Sequence, residues 1–341
     1  MKNTFKILLI ALTALLVLTA CGPASTPVVP TNTAAPAATQ TTQPPTVTPA
    51  PTATSATPTT AAISVPDGLG GTLTVSEAPM RIVSLAPSNA EVLFAIGAGS
   101  QMVAREDFTN YPPEAASLPS VGGMAGPISV EQVVSFKPDL VIVAPISPPE
   151  LIKGLQDLKI PVLLLPNPKS LADMYANLEL TGKLTGHSQE AADLVSKLQA
   201  REHKILAVAA KATSKPTIFY ELDGTDPAKP WTSGPGTFVD LLITLAGGKN
   251  IGAALQGEWA QLSQEELLVQ NPDFIILGDA NFGMTVDKIK ERAGWDTLKA
   301  VQDGKVVPFN DDLISRPGPR MIDGLEELVK VIHPELAAEL K

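Results

Sequence analysis

Residues 128–143 read ISVEQVVSFKPDLVIV, and residues 262–277 read LSQEELLVQNPDFIIL. The two align without a gap: apolar, Ser, any, Glu, any, two apolar, three of any kind, Pro, Asp, then an apolar run. Self-similarity at a distance far longer than a solenoid repeat predicts two similar lobes rather than an array. In each copy Ser129 or Ser263 is placed to cap a short helix, with Gln132 or Glu266 three residues on to complete a capping box. Pro138 and Pro272 end those helices, because the residue before a proline is driven out of the α region. The apolar runs 140–143 and 274–277 have the pattern of strands buried on both faces, as in a parallel sheet. Each copy therefore reads as a short helix feeding a buried parallel strand. Glu131 and Glu265 match at the second helical position. The helix macrodipole alone accounts for an acid there, and a paired docking feature is the alternative.

The chain has 341 residues, 44% hydrophobic and 18% charged, with a formal net charge of −10. That length accommodates two modest domains with tails. The acidic balance argues against a nucleic-acid partner and against attraction to an anionic membrane surface. Lys2 and Lys6 precede the apolar run 7–18, followed by Leu-Thr-Ala-Cys at 18–21. This is a signal-peptide pattern over 1–20, too short for a transmembrane span. Its last four residues look like a bacterial lipobox, which predicts a lipid on Cys21. Cys21 is the only cysteine, so no disulfide forms within the chain. From Gly22 to Pro66 there is no charged residue, and Pro, Thr and Ala dominate. Residues 21–66 are accordingly expected to be a disordered tether, spanning roughly 35–40 Å as a coil.

A folded body is expected from about residue 72, with lobes over 72–168 and 213–341 and a helical spine over 169–212. The strand at 81–85 leads through Pro87, Ser88 and Asn89 into a helix closed by Gly97, with Ser88 or Asn89 as its cap. Gly97-Ala98-Gly99 ends a helix rather than opening one, so it is not a dinucleotide fingerprint. Residues 170–211 read as helical with a break at 182–186. Starting from Ser188 as cap, the second piece would run roughly 35 Å. Residues 231–234 read as a polar loop.

RIVSLAPSNAEVLFAIGA, NYPPEA, VGG, the two repeat copies, PWTSG, GWDTLKAVQDGKVVPF and SRPGPRMIDGLEEL, in that order, resemble the substrate-binding proteins of ABC importers for vitamin B12, iron-siderophores and haem. The resemblance covers about residues 79–336. It implies the class III periplasmic-binding-protein fold: two Rossmann-like α/β lobes joined by one long backbone helix, with ligand held between them. It further implies that Glu131 and Glu265 meet the importer permease. The ligand-facing positions it implies are Pro87, Ser88, Asn89, Asp107, Phe108, Tyr111, Gly123, Met124, Trp231, Trp259, Asp279, Phe282, Asp312 and Arg316. Met124 and Leu313 stand where B12-binding members are expected to carry tryptophan, and Phe108 where they carry tyrosine.

A corrin or porphyrin is a broad apolar plate with a polar fringe, which aromatic side chains suit. Trp231, Trp259 and Phe108 meet that need, although tryptophans serve cores equally well, and Trp295 reads as structural. Arg316 and Arg320 either pair with an anionic ligand such as haem or a ferric siderophore or bridge the chain's own acids. The expected role is capture of a corrinoid for an ABC importer by a lipid-anchored monomer on the extracytoplasmic face of the membrane, with no cofactor. Ferric siderophore or haem is the alternative ligand. An enzyme lacks support, with no GxSxG elbow, no P-loop and no free cysteine in the body. His187, His203 and His333 fall outside the expected cleft loops, which disfavours a divalent-metal carrier. A wall lipoprotein without any ligand is the remaining class.

Overall fold

The computed structural model describes residues 62–340. The leader, Cys21 and the expected tether up to residue 61 lie outside the described residues. Strand β1 (Ile63–Pro66) pairs antiparallel with β2 (Thr72–Val75), from Ile63 opposite Val75 to Pro66 opposite Thr72. The body thus begins before residue 72, and the last residues assigned to the tether belong to a hairpin. Val65 and Leu73 carry this hairpin into the core. Lys183 Nζ donates to the Ser64 carbonyl, and the Leu164 N–H to the Asp67 carbonyl. One cross-strand apolar pair, Val65 opposite Leu73, outweighs a Pro- and Thr-rich composition once there is a surface to pack against.

The first lobe holds β3 (Ile82–Ser84), α1 (Pro87–Ala95), β4 (Met102–Arg105), α2 (Pro113–Ala116), α3 (Val130–Ser135), β5 (Leu140–Val143), α4 (Pro149–Asp157) and β6 (Val162–Leu164). Helices α5 (Leu171–Thr185) and α6 (Ser188–Ala209) follow. The second lobe holds β7 (Thr217–Glu221), β8 (Trp231–Ser233), α7 (Phe238–Leu245), β9 (Lys249–Asn250), β10 (Trp259–Gln261), α8 (Gln264–Gln270), β11 (Phe274–Leu277), α9 (Val286–Lys290), α10 (Lys299–Gln302), β12 (Val306–Pro308) and α11 (Met321–Ile332).

The sheets run β4-β3-β5-β6 and β12-β11-β7-β9, parallel throughout. Counted within each lobe, both have the order second, first, third, fourth. The repeat copies occupy equivalent places, α3–β5 and α8–β11, and all four residues of β5 and of β11 are buried. Helix α6 has 22 residues, about 33 Å of rise. It packs on α5 on one side and on α11 on the other.

Local details refine the expected caps. Ser129 and Gln132 form the full capping box, at 3.2 and 2.8 Å. Ser263 caps alone, because Glu266 accepts instead from Gln270 at 2.9 Å. Ala86, not Ser88 or Asn89, holds the cap position of α1, with Pro87 as first helical residue. His187 holds that of α6, and Ser188 is already helical. Lys137 and Asn271, each before the shared proline, sit in the left-handed region at φ 49° and 44°. Residues 231–233 are not loop but strand β8, antiparallel to β10.

Candidate functional site

Ligands of parallel α/β sheets bind outside the carboxyl ends of the strands, where the strand order reverses. In both lobes that reversal lies between the first and third strands. The exits concerned are 85–89 and 144–147 in the first lobe, and 222–224 and 278–282 in the second. The lobes meet through the exits of β4 and β12. Asn110 Nδ2 donates to Asp312 at 3.2 Å. Arg316 donates to Asn110 Oδ1 at 2.7 Å and pairs with Asp312 at 2.8 Å and with Glu91 at 3.1 Å. Arg320 Nε donates to Glu91 at 2.7 Å, and its guanidinium stacks 4.1 Å over the Tyr111 ring. Glu91 is 2% exposed and Arg316 9%. One buried carboxylate of the first lobe is thus held by two guanidiniums of the second.

Around this bridge the strand-end loops expose apolar side chains. Phe108, Tyr111, Met124, Trp231, Trp259 and Phe282 are all exposed, Met124 at 67% and Phe282 at 80%. Trp231 opens β8, where it faces Gln261, and Trp259 opens β10, where it faces Ser233. Residues 231 and 233 share a face, so the two tryptophans are diagonal neighbours on one side of the ribbon. The ribbon grows from the exit of β7, through Leu222 N–H to the Trp231 carbonyl and Trp231 N–H to the Asp223 carbonyl. Phe238 supports Trp259 at 5.6 Å between ring centres. Trp295 is fully buried against Phe219 and under Arg292.

Several of the expected polar contacts are instead internal. Asp107 accepts from Ser120 and from the Met124 N–H at 3.0 Å, which holds its carboxyl below the usual range and builds the loop 120–124. Gly123 in that loop has φ 123°, open to glycine but strained for other residues. Pro87 is half-buried, and Ser88 and Asn89 are buried at the start of α1. Asp312 and Arg316 belong to the bridge between the lobes.

A groove of about 450 Å³ opens at the reversal point of the second sheet, lined by Leu222, Asp223, Thr225, Asp279, Phe282 and Lys288 among others. Asp279 accepts from the Gly224 N–H at 2.9 Å. Burial raises its carboxyl against the pull of that N–H and of Arg292. Beneath it Glu221 is chelated by Arg292, and burial pushes its carboxyl up to about 7 despite that partner. Lys288 Nζ donates to the Gly283 carbonyl at 2.8 Å. A larger hollow of about 540 Å³ lies on the spine side, between α1, α6 and the start of α11. Four of its charged side chains pair among themselves, Glu91 with Arg320 and Arg201 with Asp323.

Two features carried no mark in the sequence reading. Glu91, the anchor between the lobes, is a lone acid inside the apolar helix AEVLFA, a signal that was available. Ile146, on the exit of β5, is 88% exposed, and prolines at 145, 148 and 149 surround it. Glu131 and Glu265 are both exposed in the first turns of α3 and α8. The Glu131 carboxyl is held below its usual range by its own backbone N–H and by Ser129. Among the described residues no helix is long and apolar enough to cross a membrane.

The periplasmic binding protein family model matches residues 82–313, from β3 to the exit of β12. The chain belongs to the periplasmic binding protein family. Its relatives include the uncharacterized ABC transporter substrate-binding lipoprotein YvrC of Bacillus subtilis, 33% identical over 81% of this chain and 87% of that protein. The vitamin B12-binding protein of Pectobacterium atrosepticum is 30% identical over 77% of this chain and 90% of its own length. Among solved structures, the periplasmic heme-binding protein RhuT from Roseiflexus sp. RS-1 has a TM-score of 0.67 at 26% identity, covering 76% of this chain and 99% of that one. This periplasmic binding protein is thus the substrate-binding component of an ABC transporter, with the two-lobed α/β fold of its class.

Proposed function

We propose that the cleft takes a corrinoid, a vitamin B12-like macrocycle, and that the protein delivers it to an importer permease. The observation that carries this reading is the engagement of Arg316 and Arg320 with Glu91 and Asp312. Breaking a buried, hydrogen-bonded ion pair to hold a ligand carboxylate is unfavourable by several kcal/mol. That disfavours haem propionates and strongly anionic ferric siderophores at this place. Corrin side chains end in amides, which need hydrogen-bond partners rather than cations. Exposed Phe108, Tyr111, Trp231, Trp259 and Phe282 supply broad apolar contact with few rotors to freeze. Met124 adds an adaptable thioether. The B12-binding relative from Pectobacterium points the same way.

Delivery would use Glu131 and Glu265. Helices of a parallel α/β unit run against the strands, so the first turns of α3 and α8 lie on the cleft side. Exposed acids there suit arginines of a permease. Membrane attachment would come from a lipid on Cys21 after removal of residues 1–20, with the segment from Cys21 as tether. The description of YvrC as a lipoprotein supports this. The test of the ligand is a tryptophan-quenching titration with cyanocobalamin. Saturable one-to-one quenching is expected, weakened at least about tenfold in Trp231→Ala or Trp259→Ala, as for loss of a buried aromatic contact. Quenching by haem or a ferric siderophore and not by cyanocobalamin would transfer the reading to those ligands.

A further inference from the structure

We propose that Ile146 is a ligand-contact and specificity residue, forming the first lobe's apolar wall opposite the groove at the exit of β7. This rests on the corrinoid reading. Exposed isoleucines are common singly and need no explanation on that ground; this one is set apart by where and how it is held. The turn after β5 is closed on itself. Ser147 N–H donates to the Ala144 carbonyl at 2.8 Å, and the Ala144 N–H donates to Ser147 Oγ at 3.3 Å. Ser147 is buried, and Pro145 and Pro148 flank the tip. The side chain at 146 is therefore presented to solvent by a rigid backbone. A pre-organised apolar contact costs little ordering entropy on binding.

Its position is fixed by topology. The sheet edges β4 and β12 meet through Asn110 and Asp312. Counting inward from that contact, β5 is third in one sheet and β7 third in the other. The exit of β5 then stands across from the exit of β7, where the groove beside Asp279 and Phe282 opens. Phe282 rises from the turn after β11, the strand equivalent to β5. Each lobe thus offers one strongly exposed apolar residue from the exit of the strand that is third in its chain order, Ile146 after β5 and Phe282 after β11. A flat macrocycle held between the lobes would be gripped by both.

The test compares the full chain, Ile146→Asn, Ile146→Leu and Leu158→Asn by calorimetric titration with cyanocobalamin. Leu158 is also exposed, but it follows α4 at the amino end of β6, away from the cleft. Ile146→Asn should weaken binding at least about tenfold, the scale of one buried aliphatic side chain. Ile146→Leu should stay within about threefold of the parent, and Leu158→Asn should match it. Unchanged affinity in Ile146→Asn, or equal loss in Leu158→Asn, overturns the inference while the corrinoid reading stands. Should the parent bind haem and not cyanocobalamin, the corrinoid reading fails, and the same comparison with haem decides the role of Ile146. Binding of neither overturns both.

Discussion

Asp139 and Asp273 hold the same place in the two repeat copies and do the same work. Asp139 accepts from the N–H groups of Met80 and Arg81, both at 2.8 Å. Asp273 accepts from the Thr217 N–H at 2.8 Å and from its hydroxyl at 2.9 Å. Each acid ties the start of its lobe's third strand to the start of the first. The Pro-Asp pair was visible in the sequence, but its role was not, because the partners lie 59, 58 and 56 residues away. Partial burial raises the Asp273 carboxyl, but hydrogen bonds from Lys299 and Thr217 outweigh it and bring it down to about 2. A carboxyl lowered in the folded state stabilises above its unfolded pKa, and that contribution is lost as pH falls through the folded one. The Asp273→Asn variant should therefore be less stable at neutral pH, and it should lose less stability than the parent between about pH 4 and 2. Urea midpoints across that range measure it. Parallel pH curves for the two proteins would contradict the assignment.

Helices and strands with strong period were legible, and those whose stability comes from a distant partner were not. The matching strands β5 and β11 stood out as continuous apolar runs. Strand β1 did not, because its burial depends on β6 and α5. Strand β8 was hidden likewise, since its pairing comes from β10, nearly thirty residues on. The cap of α6 was misplaced by one residue and that of α1 by two or three, at or just beyond the ordinary latitude of helix ends. Helices α3 and α8 carry the paired acids of the proposed permease contact. Replacing both Glu131 and Glu265 by alanine should leave ligand affinity within about twofold, because neither acid lies on a strand-end loop. The same double variant should reduce ligand uptake in cells that depend on this protein. Lost ligand affinity, or undiminished uptake, would sink the docking role.

At the scale of the molecule, two lobes related by a repeat are joined by a long helix and by one buried charge cluster. The repeat announced the lobes, and the helical period of 188–211 announced the spine. The cluster was only half legible: Arg316 and Arg320 were seen, but the acid they share, Glu91, lies 225 residues from Arg316. Glu91→Gln leaves the buried Arg316 and the half-buried Arg320 with less compensation, a loss of up to about 3–5 kcal/mol, the scale for a buried pair deprived of one partner. Amide exchange in segments 86–95 and 310–320 should then rise together while the sheet cores β5 and β11 stay protected. Exchange confined to one segment would mean that the cluster does not couple the lobes. Since the proposed preference for a corrinoid rests on that cluster, the most direct test is a paired calorimetric titration with cyanocobalamin and haem at low and high salt. One-to-one cyanocobalamin binding that barely changes with salt is expected, with haem binding at least about tenfold weaker. Tighter haem binding that falls steeply with salt would show that Arg316 and Arg320 are available to an anionic ligand, and would contradict the proposed preference.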